Sequence, residues 1–264
     1  MTHFHHEDTA ALVLAAGMGK RMNSDLPKVL HKVAGEPLLA HVLGALDELG
    51  VGRKVVVIGH QRDKVIAAFA GHDDLEWAVQ AEQRGTGHAC QMAAPALGDF
   101  AGTLLVVCGD TPLLTAGTLH TLLETHKALA AAVTVLSMRL PDPKGYGRII
   151  RSAGAPGGQN SGEQHGIERI VEEKDATPQQ RAIDEVNSGI YAFDYAALGM
   201  VLSRLTADNS QGEYYLTDTV SLLQSLGKHA AVVCAADHRE LLGINTVDQL
   251  AEAEAAWHAM REGR

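Results

Sequence analysis

The sequence predicts an α/β fold in which helices cover both faces of a largely parallel sheet. Short apolar runs that end in turn residues recur along the first half of the chain, as is typical of buried parallel strands. Segments with helical apolar spacing separate these runs, and such alternation favours a parallel sheet. The chain has 264 residues, of which 46% are hydrophobic, enough for one large domain or two small ones.

The first strand and the first helix have the clearest signals. Residues 11–16 form an apolar run that ends at Gly17. Residues 37–49 carry leucines at helical spacing, with Pro37 at the start and Gly50 just past the end. The other elements expected in this half are strands at residues 54–58, 75–79 and 104–108 and helices at residues 63–70, 87–97 and 115–128.

The second half of the chain is less regular. Strands are expected at residues 146–151, 166–171, 186–193 and 230–235, and helices at residues 195–205, 215–226 and 247–260. Residues 152–164, between the first two of these strands, are rich in Gly, Ser and Gln and indicate a mobile surface loop. We therefore expect a hairpin-like excursion from the main sheet.

Composition excludes several classes of function. Lys and Arg number 22 against 32 Asp and Glu, a net charge of −10, so the chain lacks the basic surface of a nucleic-acid-binding protein. No apolar stretch approaches the roughly 18 residues of a membrane span, and residues 1–8 lack the features of a signal peptide. These observations predict a cytoplasmic protein with neither nucleic acid nor membrane as a partner.

The residues that commonly bind metals do not form an obvious zinc motif. The three cysteines are widely spaced and odd in number, which argues against a disulfide framework and against a zinc cluster. His3, His5 and His6 belong to a predicted flexible tail at residues 1–9, with metal chelation as the alternative.

The loop after the first strand has the composition of a phosphate-binding loop. It reads L-A-A-G-M-G-K-R-M from Leu14 and continues to L-P-K at Lys28. The glycines let backbone N–H groups approach a nucleotide, and Arg21 and Lys28 can neutralise its phosphates. The dinucleotide motif G-x-G-x-x-G fails because Met22 holds the place of the third glycine, and no P-loop motif is present. A simple tight turn is the alternative interpretation.

Together with seven further segments, this loop resembles the sugar-nucleotide pyrophosphorylases, which are sugar-1-phosphate nucleotidyltransferases. The segments are Q-A-E-Q-R-G-T-G-H-A from Gln80, G-D-T-P-L-L from Gly109, G-Y-G-R-I from Gly145, I-V-E-E-K-D-A from Ile170, N-S-G-I-Y from Asn187, Q-G-E-Y-Y-L-T-D from Gln211 and G-I-N from Gly243. Within that family the set is most similar to the N-terminal uridyltransferase domain of the bifunctional N-acetylglucosamine-1-phosphate uridyltransferases/glucosamine-1-phosphate acetyltransferases.

The resemblance implies a Rossmann-like nucleotidyltransferase fold, with a mostly parallel mixed sheet and a β-hairpin-like sugar-side subregion. It implies one domain at residues 10–264, with a nucleotide-binding part at about 10–140, a sugar-binding part at about 141–245 and a C-terminal helix at 247–260. The implied partners are UTP and N-acetylglucosamine 1-phosphate, and the implied cofactor is Mg²⁺. The implied products are UDP-N-acetylglucosamine and pyrophosphate.

The resemblance also assigns roles to the charged and amide side chains. Arg21 and Lys28 are expected to act on the triphosphate as catalytic residues. Asp110 and Asn245 are expected to bind Mg²⁺, which prefers oxygen ligands. Asp110 closes the strand at residues 104–108 and so points into the same crevice as the first loop, whereas Asn245 has an alternative role as the N-cap of the last helix.

The remaining assignments concern substrate binding. The expected positions are Leu14, Ala15, Ala16, Gly17, Gly19, Gln80, Gly85, Thr86, Cys108, Gly109, Gly147, Glu172 and Asn187. The resemblance places Gln80, Gly85 and Thr86 at the uracil. An amide side chain can pair with the uracil edge as both donor and acceptor. It places Gly147, Glu172 and Asn187 at the N-acetylglucosamine moiety.

Two other functions stay open at this stage. One is a nucleotidyltransferase for a different sugar phosphate, or for dTTP or CTP, although Gln80 and Glu172 follow the uridyl pattern. The other is a catalytically silent binding module, which would be expected to have lost Arg21, Lys28 or Asp110. No hexapeptide repeat follows Val247, so we expect no acetyltransferase activity and a monomer or weak homo-oligomer.

Overall fold

The computed structural model describes residues 6, 8–152 and 165–262. Most of the tail predicted at residues 1–9 and of the surface loop predicted at residues 152–164 therefore lies outside the described residues. Among the helices that are described, none is long and apolar enough to cross a membrane.

The chain alternates strands and helices as predicted. The strands are β1 (Thr9–Leu14), β2 (Lys32–Val33), β3 (Glu36–Pro37), β4 (Arg53–Ile58), β5 (Leu75–Val79), β6 (Thr103–Cys108), β7 (Val133–Arg139), β8 (Arg148–Arg151), β9 (Ile167–Val171), β10 (Glu185–Asp194) and β11 (Ala230–Cys234). The helices are α1 (Leu38–Leu49), α2 (Arg62–Ala68), α3 (Thr86–Leu97), α4 (Ala116–Ala128), α5 (Pro178–Arg181), α6 (Tyr195–Leu202), α7 (Asp218–Ser225) and α8 (Val247–Glu262). Short 3-10 turns lie at Lys20–Met22, Lys28–Leu30 and His238–Leu241.

The main sheet is mixed and mostly parallel, which confirms the predicted fold class. Its strand order is β11-β7-β10-β6-β1-β4-β5, and β8 pairs with both β10 and β9. Strand β1 pairs in parallel with β4 on one side and with β6 on the other, while β10 is antiparallel to its neighbours. After β1, the chain first adds β4 and β5 on one side of β1 and then places β6 on its other side. Ligands of open α/β sheets bind at such a switch point, beside the carboxyl ends of the strands.

The core lies on both faces of this sheet. Consecutive side chains of β1 point to opposite faces. Ala11 and Val13 join the core under α1 and α4, whereas Ala10 and Leu12 join the core under α3, α6 and α7. Because both faces are covered by helices, β1 is buried along nearly its whole length and reads as a continuous apolar run.

Strand β7 is an element that the sequence analysis did not predict. Two of its buried side chains are polar, and each has a buried partner. His126 Nδ1 lies 2.9 Å from Thr134 Oγ1, and Ser137 donates to Glu185 Oε1 at 2.6 Å. These polar positions interrupt the apolar run by which a buried strand is recognised, so the pattern did not indicate a strand here.

Other predicted elements are present with shifted ends. Strand β1 occupies residues 9–14 rather than 11–16, because Ala15 and Ala16 leave the strand for the loop that follows it. The helix expected at residues 215–226 is confined to α7. Strands β8 and β9 pair in antiparallel register, which confirms the hairpin-like excursion.

Candidate active site

The loops that follow β1, β5 and β6 form a central cleft of about 280 Å³ at the carboxyl edge of the sheet. The predicted site residues that line it are Leu14, Ala15, Ala16, Gly17, Lys28, Gln80, Gly85, Thr86, Cys108 and Asp110. It is also lined by residues that sequence reasoning missed, namely Val29, Gln83, Ala89 and Glu213.

The floor of the central cleft is held by backbone hydrogen bonds between neighbouring strand ends. Ala15 N–H donates to Val57 O, and Gly109 N–H donates to Leu14 O, each at 2.9 Å. A Cβ atom at Gly109 would lie 3.1 Å from the Cβ of Ala15, which is a tight approach. Glycine at this position therefore lets the loops after β1 and β6 lie against each other.

Gly19 positions Lys28 rather than lining the cleft. Its φ of +59° lies in the left-handed region, and a Cβ atom there would come within 2.7 Å of the Lys28 Cβ.

Arg21 is exposed on the turn Lys20–Met22. Burial raises the pKa of the Tyr146 phenol, the charge of Asp110 adds to this effect, and the charge of Arg21 opposes it. Arg21 and Asp110 thus both lie close enough to Tyr146 to act on it.

Lys28, Asp110 and Asn245, which we call the cation triad, meet at one side of the cleft. Lys28 is buried, and its ammonium donates to Asp110 Oδ2 and to Asn245 Oδ1, the latter at 2.7 Å. Both oxygens therefore lie within reach of a single cation. A carboxylate and an amide oxygen are hard ligands of the kind that Mg²⁺ takes, so the residues present fit this metal.

The structure excludes one of the two roles considered for Asn245. The N-cap of α8 is Thr246, whose hydroxyl accepts from Gln249 N–H at 3.2 Å. Gln249 Oε1 accepts from Asn245 N–H at 2.7 Å, and Asn245 Nδ2 donates to Gly243 O at 3.2 Å. The amide is thus held with its oxygen toward Lys28, and the alternative role as helix cap is wrong.

Gln80 is buried at the end of β5 with its amide oriented. Its Nε2 donates to Gly85 O at 3.0 Å and lies 3.1 Å from His88 Nδ1. These two contacts hold the amide nitrogen of Gln80 toward Gly85 and His88. None of the described residues donates to Gln80 Oε1.

The segment that follows Gln80 is fastened to the chain before α7. Gly87 N–H donates to Tyr214 O, and Tyr214 N–H donates to Arg84 O, both at 2.8 Å. Thr86 Oγ1 accepts from Leu216 N–H at 3.1 Å, so this hydroxyl has a structural partner in addition to its predicted place at the uracil.

Gly85→Ala is expected to lower the free energy of unfolding by about 2–3 kcal/mol. Gly85 has a φ of +103°, and a Cβ atom would lie 2.6 Å from Tyr214 O, so both the backbone and the new methyl group are strained. Urea denaturation checks this. The matched control is Gly44→Ala in α1, where no atom lies within 4 Å of the added Cβ, and which should stabilise slightly. Equal stability of the two variants would contradict the prediction.

Gly147, Glu172 and Asn187, which we call the hairpin cluster, lie together where β8, β9 and β10 meet. Asn187 N–H donates to Gly147 O at 2.8 Å. A Cβ atom at Gly147 would lie 3.4 Å from Glu172 Oε1, so the carboxylate borders the space that this glycine leaves open. The structure therefore brings together the three residues that the resemblance assigned to the sugar.

The two side chains of the hairpin cluster differ in their surroundings. Burial raises the pKa of Glu172, although a hydrogen bond from the Thr217 hydroxyl at 3.2 Å acts in the opposite direction. Asn187 Nδ2 donates to the Tyr191 hydroxyl at 2.7 Å, and Asn187 Oδ1 accepts from Gly189 N–H at 3.1 Å. The hydrogen bonds of Asn187 thus stabilise the part of β10 in which the register of pairing with β7 shifts.

Cys108 connects the central cleft to the hairpin cluster without being a nucleophile. Its Sγ donates to Gly189 O at 3.6 Å. Burial raises the pKa of the Cys108 thiol to about 12, and the charge of Asp110 adds to this effect. The thiol is therefore protonated near neutral pH and packs as a small side chain.

Some functional candidates missed in the sequence lie inside the motifs quoted for the resemblance. Gln83 belongs to the segment that begins at Gln80, and its Nε2 donates to Ala16 O. Thr217, which contacts Glu172, belongs to the segment that begins at Gln211. Their positions inside these motifs could have marked Gln83 and Thr217 as candidates. Their contacts with Ala16 and Glu172 could not be predicted, because these residues are distant from them in sequence.

Comparison with known proteins identifies the family. The model of the MobA-like NTP transferase domain matches residues 11–177, which include most of the residues that line the central cleft. The chain belongs to the MobA-like NTP transferase family. This membership confirms that the motifs of the sequence are those of a nucleotidyltransferase. The matched range includes Asp110 and Glu172 but stops before Asn187 and Asn245.

Individual relatives of this MobA-like domain are longer proteins. The chain is 52% identical to the bifunctional protein GlmU of Streptomyces griseus over 246 residues, which are 92% of this chain and 49% of that protein. It is 48% identical to the bifunctional protein GlmU of Thermobifida fusca, over 96% of this chain and 53% of that protein. The chain thus spans about half the length of the curated relatives it matches.

A solved structure shares the fold. A UDP-glucose pyrophosphorylase complexed with UDP-glucose superposes with a TM-score of 0.74, over 97% of this chain and 100% of that chain, at 16% identity. At this identity the likeness concerns the fold alone, and it confirms the Rossmann-like nucleotidyltransferase fold.

Proposed function

We propose that the chain is a UTP-dependent N-acetylglucosamine-1-phosphate uridylyltransferase that uses Mg²⁺. A phosphate oxygen of N-acetylglucosamine 1-phosphate attacks the α-phosphorus of UTP. The bond from this phosphorus to the oxygen that bridges to the β-phosphorus breaks, which releases pyrophosphate and leaves UDP-N-acetylglucosamine. The observation that carries the proposal is the cation triad, placed beside the central cleft of a MobA-like domain.

Catalysis requires positioning and charge neutralisation rather than a protein nucleophile. The sugar phosphate is already an anion near neutral pH, so it needs no general base. Lys28 offers a buried ammonium beside the cleft, and Arg21 offers an exposed guanidinium on the turn Lys20–Met22 of the loop after β1. Mg²⁺, held by Asp110 and Asn245, would neutralise negative charge on the triphosphate.

The geometry of Gln80 supports uracil as the base. Uracil presents an N–H donor flanked by carbonyl acceptors, and an amide can match such an edge. The contacts of Gln80 Nε2 with Gly85 O and His88 hold the amide in one orientation inside the cleft. The absence of a side chain at Gly85 lets the backbone of Tyr214 lie against this segment, which keeps Gly85 O in place for the contact with Gln80.

The hairpin cluster supports a sugar phosphate as the acceptor. Glu172 presents a carboxylate that can accept hydrogen bonds from sugar hydroxyls, and Thr217 holds one of its oxygens in place. Gly147 leaves open the space beside this carboxylate. Cys108 and Gly189 connect the cluster to the central cleft, so a sugar there would lie next to the phosphates.

Glu172→Gln is expected to raise the KM for N-acetylglucosamine 1-phosphate about 10- to 100-fold, because hydrogen bonds to an ionised carboxylate contribute about 1.5–3 kcal/mol. The KM for UTP should stay unchanged. Steady-state kinetics at alkaline pH, where the carboxylate is ionised, check this split. Glu168→Gln, at an exposed position of β9, the strand that ends just before Glu172, is the control and should leave both KM values unchanged. A parallel rise in the two KM values would contradict the assignment.

Glu172→Gln is also expected to change how the free energy of unfolding depends on pH. Burial raises the pKa of Glu172 above the value of about 4.3 expected in the unfolded chain. The folded state therefore binds this proton more tightly. Protonated Glu172 contributes its full stabilisation of the wild-type fold at pH values below its pKa in the unfolded chain. This contribution is lost as the pH rises through the pKa of Glu172 in the folded chain. The free energy of unfolding of Glu172→Gln, relative to wild type, should rise across this window and then level off. Urea titrations over a pH series measure it, and a constant difference would contradict the raised pKa.

Pyrophosphate release tests the choice of nucleotide. The purified chain is incubated with Mg²⁺, N-acetylglucosamine 1-phosphate and, in separate reactions, UTP, dTTP, CTP, ATP or GTP. The proposal expects release with UTP that EDTA abolishes. Release only with another nucleotide or another sugar phosphate would keep the reaction class and change the substrate. No release with any pair, together with calorimetric binding of UDP-N-acetylglucosamine, would favour the silent binding module.

A further inference from the structure

Three side chains with metal-binding atoms converge on the outer side of α4, away from the central cleft. His6 Nε2 lies 3.1 Å from His120 Nδ1. One donor atom of each histidine and one carboxylate oxygen of Glu124 all lie within 4.8 Å of one another. Within the part of the chain that the structure describes, no other group of three His, Cys, Asp or Glu residues is this compact.

The fold brings these residues together from two elements. His120 and Glu124 are four residues apart on α4 and therefore lie one above the other on the same face of the helix. His6 precedes β1, where its carbonyl accepts a hydrogen bond from Thr9 N–H at 3.0 Å. Asp8 O accepts a backbone hydrogen bond from the start of β6, so the chain is anchored two residues after His6.

The geometry and chemistry of the three donors suit zinc. Tetrahedral Zn²⁺ with Zn–N bonds of about 2.0–2.1 Å places two nitrogen ligands about 3.3 Å apart. The observed separation of the two ring nitrogens is close to this value, at 3.1 Å. Imidazoles favour Zn²⁺ over Mg²⁺, which prefers an all-oxygen site.

We propose that His6, His120 and Glu124 form a Zn²⁺ site that fastens the segment before β1 onto α4. A water molecule completes the coordination. Because the ligands come together only in the folded chain, Zn²⁺ binding stabilises the native state. The site is separate from the cation triad, which offers oxygen ligands only, so it is independent of the proposed uridylyl transfer.

Competition with a chromophoric chelator tests the site on the full chain without an affinity tag, in a large excess of Mg²⁺. The proposal expects one Zn²⁺ per chain and a loss of affinity of about 100-fold or more in His120→Asn and in Glu124→Gln. The matched control is His258→Asn. His258 is also four residues from a glutamate, since its Nε2 lies 3.3 Å from Glu254 Oε1, but this pair on α8 is not part of any three-ligand group among the described residues. Its loss should leave Zn²⁺ binding unchanged.

Two further readouts separate this site from other ways of binding zinc. Co²⁺ should give the visible absorption of a tetrahedral site in wild type but not in His120→Asn. Zn²⁺ should raise the Tm of wild type and not that of Glu124→Gln, an isosteric change at an exposed position. Undiminished Zn²⁺ affinity in His120→Asn would overturn the proposal, because histidines near the start of the chain would then bind the metal without α4. No Zn²⁺ binding by wild type would overturn it as well.

Discussion

Asp110→Asn is expected to lower turnover about 100- to 1000-fold while the protein stays folded. The substitution keeps the shape of the side chain but removes the charge that pairs with Lys28 and that would help to hold Mg²⁺. The backbone of Asp110 keeps its place, since its carbonyl accepts from Ile244 N–H at 2.9 Å whatever the side chain. Pyrophosphate release at saturating UTP and sugar phosphate measures the effect, and circular dichroism and the Tm verify the fold.

The control for this prediction is Asp99→Asn, which makes the same chemical change at an exposed position after α3. It should leave turnover within twofold of wild type. Wild-type turnover in Asp110→Asn would remove Asp110 from the site, and an unfolded variant would assign it a structural role instead.

Lys28→Met is expected to have two opposite effects. Turnover should fall about 100-fold or more, because a buried cation beside the triphosphate is lost. The affinity of the ligand-free protein for a divalent cation should nevertheless rise, since the ammonium of Lys28 lies against Asp110 Oδ2 and Asn245 Oδ1, the oxygens that a metal would use. A variant that was merely misfolded would lose both properties.

Titration with Mn²⁺ followed by electron paramagnetic resonance measures the second effect directly. Lys32→Met, an exposed lysine in β2, is the control and should leave both turnover and Mn²⁺ affinity unchanged. Weaker Mn²⁺ binding in Lys28→Met would contradict the view that Lys28 and the metal compete for the same oxygens.

The parts of the site that sequence reasoning could predict are those set by local pattern. The apolar run of β1 predicts a buried strand, and the loop after it then lies at the carboxyl edge of the sheet. Asp110 follows β6 and so reaches the same edge. Its pairing with Lys28 is a consequence of these two placements, because parallel neighbouring strands bring their following loops together.

Other parts depend on contacts between residues that are distant in sequence. The orientation of the Asn245 amide is set by Gly243 O and by Lys28, which lies 217 residues away, and no pattern in the sequence distinguishes this from an ordinary helix cap. The hydrogen bonds of Asn187 depend on a register shift in β10 that only the folded sheet reveals. Local periodicity carries no information about such contacts, so these assignments came from the family resemblance alone.

The fate of the α-phosphate of UTP shows directly whether the chain transfers a uridylyl group. UTP labelled at the α-phosphorus is incubated with the chain, Mg²⁺ and N-acetylglucosamine 1-phosphate, in parallel with UTP labelled at the γ-phosphorus. The account predicts that the α label appears in UDP-N-acetylglucosamine and the γ label in pyrophosphate. It also predicts that neither label moves without the sugar phosphate and that both move about 100- to 1000-fold more slowly in Asp110→Asn. Appearance of the α label in UMP, or retention of both labels in UTP, would contradict uridylyl transfer by this cleft.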